Sequence, residues 1–450
     1  MKKSLLLVMI ILLLGTSACS GNGDRVTSTT PATISDTIPE ADNTYHYLVD
    51  NPYYLSGSNA GNYVAETEDG FYFLVSDTLL YADRDTMEPI PVCAKPNCRH
   101  HQETDPLKKQ DCDAYFRESQ SAGGVFYTDG SLYVFHSSLG MVVNNEEKDS
   151  PDSFALTQVS ADGTQRKTVL DISCKFPGKN CIHRGQFYLV TQTTNEHGLS
   201  VAELWAYSLE TPNKAPQLLY QTEERMRTAN LVSSLCAYGN NLYLREYVDD
   251  EANGKIQVVR IYNLTTEKWT VIENPDGYTA IQNCISNGKL LTLYGKIGAT
   301  TFYNAGESKP DLAAPMIASA LDGSNSKEIK SASWGAATAD DKYIYLNSPK
   351  LNEVQANGDS VSSTPTDSIY FYDAKMNLID ELPFECLGKK EGVLLQCNIY
   401  PMRGETFLLH ARFGSTLAFY YFDRSEIGTG NITPVEFLSC EWNTYQFINN

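Results

Sequence analysis

The sequence predicts an all-β chain folded as a β-propeller, with seven blades of four antiparallel strands and six or eight as the neighbouring counts. Three features carry this. Short runs of Tyr, Phe, Val, Leu and Thr are divided by Gly, Asn and Asp turns. A strand, a tight polar reversal and an aromatic strand recur along the chain, and no helical stripe competes with them.

The first half of the recurring unit is clearest in Val125-Phe126-Tyr127-Thr128-Asp129-Gly130-Ser131-Leu132-Tyr133, Cys236-Ala237-Tyr238-Gly239-Asn240-Asn241-Leu242-Tyr243 and Cys284-Ile285-Ser286-Asn287-Gly288-Lys289-Leu290. Asp-Gly, Gly-Asn and Asn-Gly supply the positive φ that a two-residue hairpin needs. The second half is a strand ending in an aromatic and a polar residue, as in Leu80-Tyr81-Ala82-Asp83, Ile261-Tyr262-Asn263, Phe371-Tyr372-Asp373 and Tyr421-Phe422-Asp423. Two copies turn instead on Ala161-Asp162-Gly163-Thr164 and Leu321-Asp322-Gly323-Ser324. Pairing the halves puts blades near 66–92, 122–173, 180–221, 232–274, 281–330, 333–385 and 396–440. These Asp-Gly-Thr/Ser turns and Tyr-Asp strand ends resemble those of TolB-like and low-density-lipoprotein-receptor-like propellers. That resemblance implies the fold, since propellers host enzymes, receptors and scaffolds alike.

Ahead of the repeats, Lys2 and Lys3 precede an apolar run from Leu5 to Leu14, the pattern of a secretory signal over residues 1–18. Gly15-Thr16-Ser17-Ala18-Cys19 resembles the lipobox of bacterial lipoproteins, with Thr16 where that motif usually has Leu. The resemblance implies a lipid on Cys19 and a chain exported to the outer face of the cell membrane. Residues 19–43 are Ser, Thr, Gly, Pro and Asp with few large apolar groups, so they read as a tether to a propeller over 44–450. The formal charge is −20, which argues against nucleic acid and anionic headgroups as partners. An envelope protein or glycan is the expected ligand and a monomer the expected state.

Pro91-Val92-Cys93-Ala94-Lys95-Pro96-Asn97-Cys98-Arg99-His100 and Asp111-Cys112-Asp113-Ala114-Tyr115-Phe116 lie in an insertion at 93–121, after the first blade. They resemble a motif of uncharacterised lipoproteins from anaerobic Gram-positive bacteria, which implies habitat and architecture but no reaction. Cys93, Cys98, His100 and Cys112 can be read two ways. Outside the cell a disulfide between two of the three thiols is the ordinary outcome. Alternatively, three thiolates and an imidazole enclose a structural zinc ion as a closed tetrahedron.

Cys174 with Cys181, and Cys386 with Cys397, flank connectors from one blade's outer strand to the next blade's inner strand, and both pairs are expected as disulfides. Cys236 and Cys284 read as buried small apolar side chains. The turn aspartates read as turn formers, Trp269 as a blade-packing residue, and Tyr115, Tyr278 and Tyr303 as candidates for contact with glycan. No nucleophile elbow, zinc-protease helix or phosphate loop occurs. The expectation is a non-enzymatic binding or scaffold protein. Its alternatives are a glycan- or peptide-acting hydrolase built at the channel mouth, and metal or redox sensing through the 93–112 cluster.

Overall fold

The computed structural model describes residues 63–441 apart from 76, 104, 117–123, 129, 138–152, 175, 227–230, 299–301, 305–312, 334–335, 341, 348–351, 355–367, 389–393 and 401–403. The expected signal segment and tether, Cys19 and the start of the predicted propeller domain lie outside these residues.

Seven four-stranded antiparallel blades occupy 64–91, 124–173, 176–221, 232–272, 278–333, 336–383 and 394–441, each close to its predicted limits. The chain is a seven-bladed β-propeller. Every blade takes its four main strands from consecutive sequence, and a short strand at Arg225–Met226 is added to blade 3. A parallel pair, Phe302–Asn304 with Asn352–Val354, stands outside the blades.

The turns form for the reasons legible in their residues. Gly130, Gly239, Asn287 and Gly288 all take positive φ at the hairpin corners. Asp83, Asp162, Asp322, Asp373 and Asp423 each accept backbone N–H bonds from residues two or more positions on. Bonds from the Ser160 hydroxyl and from Thr164 bring Asp162 down to about 2.

Apolar side chains fill the seams between blades. One continuous core runs from Phe126 in blade 2 to Leu346 in blade 6, and separate clusters occupy the seams between blades 6 and 7, 7 and 1, and 1 and 2. Cys181, Cys236 and Cys284 repeat one position on the inner strands of blades 3, 4 and 5, opposite Tyr188, Tyr243 and Leu291. All three are buried, as small side chains in a seam should be. Trp269 packs between Tyr220 and Tyr262, with ring centroids 4.8 and 4.9 Å away.

No strand exchange among the described residues closes the ring, so side chains do. Phe73 of blade 1 meets Phe419 and Phe437 of blade 7 at 5.9 and 5.4 Å. Buried Glu66 accepts from Arg84 at 2.9 Å and from the Gly404 amide at 3.1 Å, joining residues 338 positions apart. Arg424 then donates to the Gly404 carbonyl and to Asp340 of blade 6.

Candidate metal centre

The centre is built where blade 1 is thinnest. Its outer strand, Pro89–Pro91, is three residues long and pairs with Leu80, Tyr81 and Ala82. Val92 extends that pairing by donating to the Leu79 carbonyl at 3.0 Å, and the chain leaves the sheet at Cys93.

A tight reversal follows, in which the Cys98 amide donates to the Lys95 carbonyl at 3.4 Å. Pro96 fixes its second position and Asn97, at φ 63°, its third, the combination that a type II turn requires. This returns Cys98 toward Cys93. His100, at φ 49°, opens a single 3-10 turn over His100–Gln102. A helical turn at Pro106–Lys109 then leads to Cys112, whose amide donates to the Lys109 carbonyl.

The result brings all four predicted residues together. One donor atom from each of Cys93, Cys98, His100 and Cys112 lies within 4.8 Å of the others, and His100 Nδ1 is 3.5 Å from Cys112 Sγ. Zinc–sulfur bonds near 2.3 Å place thiolates on one tetrahedral ion about 3.8 Å apart. A disulfide needs its sulfurs about 2.05 Å apart, and all three cysteines are free thiols. The four side chains are therefore placed where they could hold a metal ion.

Local electrostatics act differently on the donors. Burial raises the Cys93 thiol, but the amides of Lys95 and Asp113 and the thiols of Cys112 and Cys98 outweigh it and bring it below its ordinary value. Burial pushes Cys112 up to about 12 against an opposing amide bond from Ala114. Cys93 and Cys112 thus each receive an N–H from the residue two positions on, the kind of support that orients metal-bound thiolates. Burial lowers His100, which favours the neutral imidazole that metals bind. Lys95 reaches back to the Asp111 carbonyl and pairs with Asp113 at 2.8 Å.

After Cys112 the chain docks on blade 1 again. Leu79 donates to the Ala114 carbonyl at 2.8 Å, Tyr115 bridges to Thr78, and Phe116 donates to the Asp77 carbonyl at 2.7 Å. Phe116 is buried in the seam with Tyr72, Val125 and Val159. Arg166 of blade 2 lies 4.0 Å above its ring and donates to the Tyr115 carbonyl. Tyr115, a glycan candidate by sequence, thus serves the docking of the insertion. Tyr278 falls on a blade strand, and the side chain of Tyr303 lies outside the described residues.

The two connector pairs expected as disulfides, Cys174 with Cys181 and Cys386 with Cys397, are not shown as bonded. The inner strand of blade 3 begins at Phe176, so Cys181 lies five extended residues further on. Those five span roughly 16 Å of strand. Cys386 is exposed in a 3-10 turn, whereas burial pushes the Cys397 thiol up to about 12. The pairs were expected because the connectors are short. The second cysteine of each pair, Cys181 and Cys397, lies in or against an apolar seam.

Three carboxylates are buried among the described residues: Glu66, Glu246 and Asp340. Each faces a guanidinium, from Arg84, Arg260 and Arg424 respectively. Burial raises Asp340 even so, while Arg424 and the Tyr345 hydroxyl oppose the rise. These pairs were invisible to sequence reasoning, because partners as distant as Asp340 and Arg424 share no linear spacing.

No family model matches the chain, and no curated protein matches its sequence. Among solved structures it is similar to a prolyl endopeptidase at 10% identity and TM-score 0.48, covering 85% of this chain and 51% of that one. It spans about half of that peptidase's length. Oligogalacturonate lyase from Vibrio parahaemolyticus is similar at 7% identity and TM-score 0.48, covering 84% and 90% of the two chains. A putative TolB from Agrobacterium tumefaciens is similar at 8% identity and TM-score 0.33, covering 58% and 76%. At these values the likenesses transfer no activity, and the fold rests on the chain's own strands.

Proposed function

We propose that this chain is an exported lipoprotein, held by a lipid on Cys19 at the outer face of the cell membrane. Its propeller is a non-enzymatic binding or scaffold platform for an envelope protein or glycan, and one structural zinc ion sits in the Cys93–Cys98–His100–Cys112 centre. The observation that carries the metal is the convergence of four donor atoms within 4.8 Å. Three thiolates and an imidazole fill a tetrahedron and leave no open position for substrate, so the ion supplies cross-linking rather than reaction chemistry. The signal segment and the lipobox resemblance support the anchor.

The hydrolase alternative needs carboxylates free to act as acid and base. The buried carboxylates among the described residues are instead each engaged by an arginine.

Native mass spectrometry of the full chain, purified without oxygen, added reductant or chelator, should find one zinc per molecule. Cys93→Ser and Cys112→Ser should each abolish it, and Cys19→Ser should move the protein from the membrane to the soluble fraction. Metal-free protein with an oxidised 93–112 cluster would sink the zinc reading. A soluble wild-type chain would sink the anchor.

A further inference from the structure

We infer that the ion is the clasp that completes the outer strand of blade 1, and that its removal opens the seam between blades 1 and 2 while the rest of the ring stays closed. The inference rests on the zinc reading above and deepens it.

The outer edge of the strand Thr78–Asp83 is covered in two pieces. Pro89, Ile90 and Pro91 face Ala82, Tyr81 and Leu80, and the Val92 amide continues to the Leu79 carbonyl. In that register the next residue, Cys93, would stand opposite Thr78. Tyr115 stands there instead, in an antiparallel bridge. The insertion therefore interrupts a strand rather than linking two blades. The chain departs at Cys93 and resumes at Ala114, and the donor cluster spans the break, with Cys93 at one lip and Cys112 two residues before the other.

Such an excursion costs closure entropy that a regular strand avoids. The returning piece is held to blade 1 by two backbone bonds, which together make the Tyr115–Thr78 bridge, and by the buried Phe116 ring. An ion binding Cys93 and Cys112 together holds the lips in register, so metal affinity and docking of Phe116 are linked. Blade 2 senses the result directly. Arg166 caps the Phe116 ring and His136 meets its edge at 5.1 Å. The Asp162-Gly163-Thr164 turn also comes so close to Val92 that a Cβ on Gly163 would lie 2.5 Å from the Val92 carbonyl oxygen.

Hydrogen exchange resolved to single amides, on the full chain with zinc and after chelation under reducing conditions, tests this. In the metal-free protein the Leu79 and Phe116 amides, which tie the returning piece to blade 1, should exchange at least about ten-fold faster. The Tyr243 and Leu244 amides in blade 4 should keep their rates. Phe116→Ala, which leaves all four donors in place, should still bind one zinc yet speed exchange at Leu79. If zinc binds and its removal leaves the Leu79 and Phe116 amides slow, the clasp is refuted while the zinc reading stands. Equal acceleration in every blade would also refute it, by making the ion a global stabiliser. Failure to bind zinc at all would remove the reading underneath.

Discussion

Blade 1 has two neighbours and meets them by different physics. Toward blade 7 its seam is internal: Phe73 lies among Phe71, Phe419 and Phe437, and Glu66 ties Arg84 to the Gly404 backbone. Toward blade 2 the seam takes in residues from outside the blade repeat, with Phe116 delivered by an insertion and four metal-type donors beside it. The reason lies in the blade itself, whose inner and outer strands, Val64–Glu66 and Pro89–Pro91, are three residues each. So short a sheet offers little apolar surface to both sides at once. The ring closes on aromatic burial on one side and on an inserted strap on the other, and the two seams should fail differently.

The largest effect should come from the aromatic side. Phe73→Ala removes a fully buried ring from the closing seam and should cost about 3–5 kcal/mol, since the backbone around it cannot collapse to fill the space. Urea unfolding should show a loss of this size in one cooperative transition, whether or not zinc is present. A loss below about 1 kcal/mol would mean that the polar staple at Glu66, rather than ring packing, closes the propeller.

The two seams also differ in how much of them could be read in advance. Blade limits were legible because each hairpin declares itself locally, as in Asn287-Gly288 with its paired positive φ values or the aspartates that cap their own turns. The identity of the four donor residues was legible too. Their convergence was not, because it depends on a type II turn at Pro96-Asn97 and on a strand resumed about twenty residues after it breaks. A clearer signal was missed in the inner strands: Cys181, Cys236 and Cys284 each precede a large strand residue by seven positions, Tyr188, Tyr243 and Leu291. That constant spacing marks a shared seam position. The closing network from Glu66 to Gly404 to Arg424 to Asp340 left no trace, because only the closed ring brings its members together.

Acid should weaken both seams, because each buries a neutral histidine. Burial takes His410, beside the Tyr400 hydroxyl at 2.5 Å, down to about 3. It takes His136, whose ring meets Phe116, down to about 4. Both folded-state values lie below the ordinary 6.5, so the unfolded chain binds these protons first. Their contribution is complete above pH 6.5 and is lost as pH falls toward 4 for His136 and toward 3 for His410. By pH 5 each costs up to about 2 kcal/mol. The turn carboxylates, held below 3.8, act only at lower pH. Stability measured in urea from pH 7.5 to 4.5 should fall steadily, and His410→Gln should flatten the slope. An unchanged slope in that variant would show that His410 takes up its proton in the folded chain as readily as in the unfolded one.

The smallest effect separates the seams through two glycines. Gly163, at φ 71°, points its missing Cβ at the Val92 carbonyl, 2.5 Å away in a backbone that the strap and blade 1 hold from both sides. Gly404 lacks a Cβ near the Arg84 Nη1, 2.6 Å away at the end of a side chain that can shift by giving up bonds to Glu66, Thr67 or Glu68 without moving the main chain. Backbone cannot move aside as a guanidinium can, and an L-residue pays further for positive φ. Gly163→Ala should therefore cost roughly 1–2 kcal/mol and Gly404→Ala less than about 1 kcal/mol. Thermal unfolding of the two variants side by side gives the order. The reverse order would show that the strapped seam yields more easily than the aromatic one, and that the approach of blade 2 to Val92 is slack in solution.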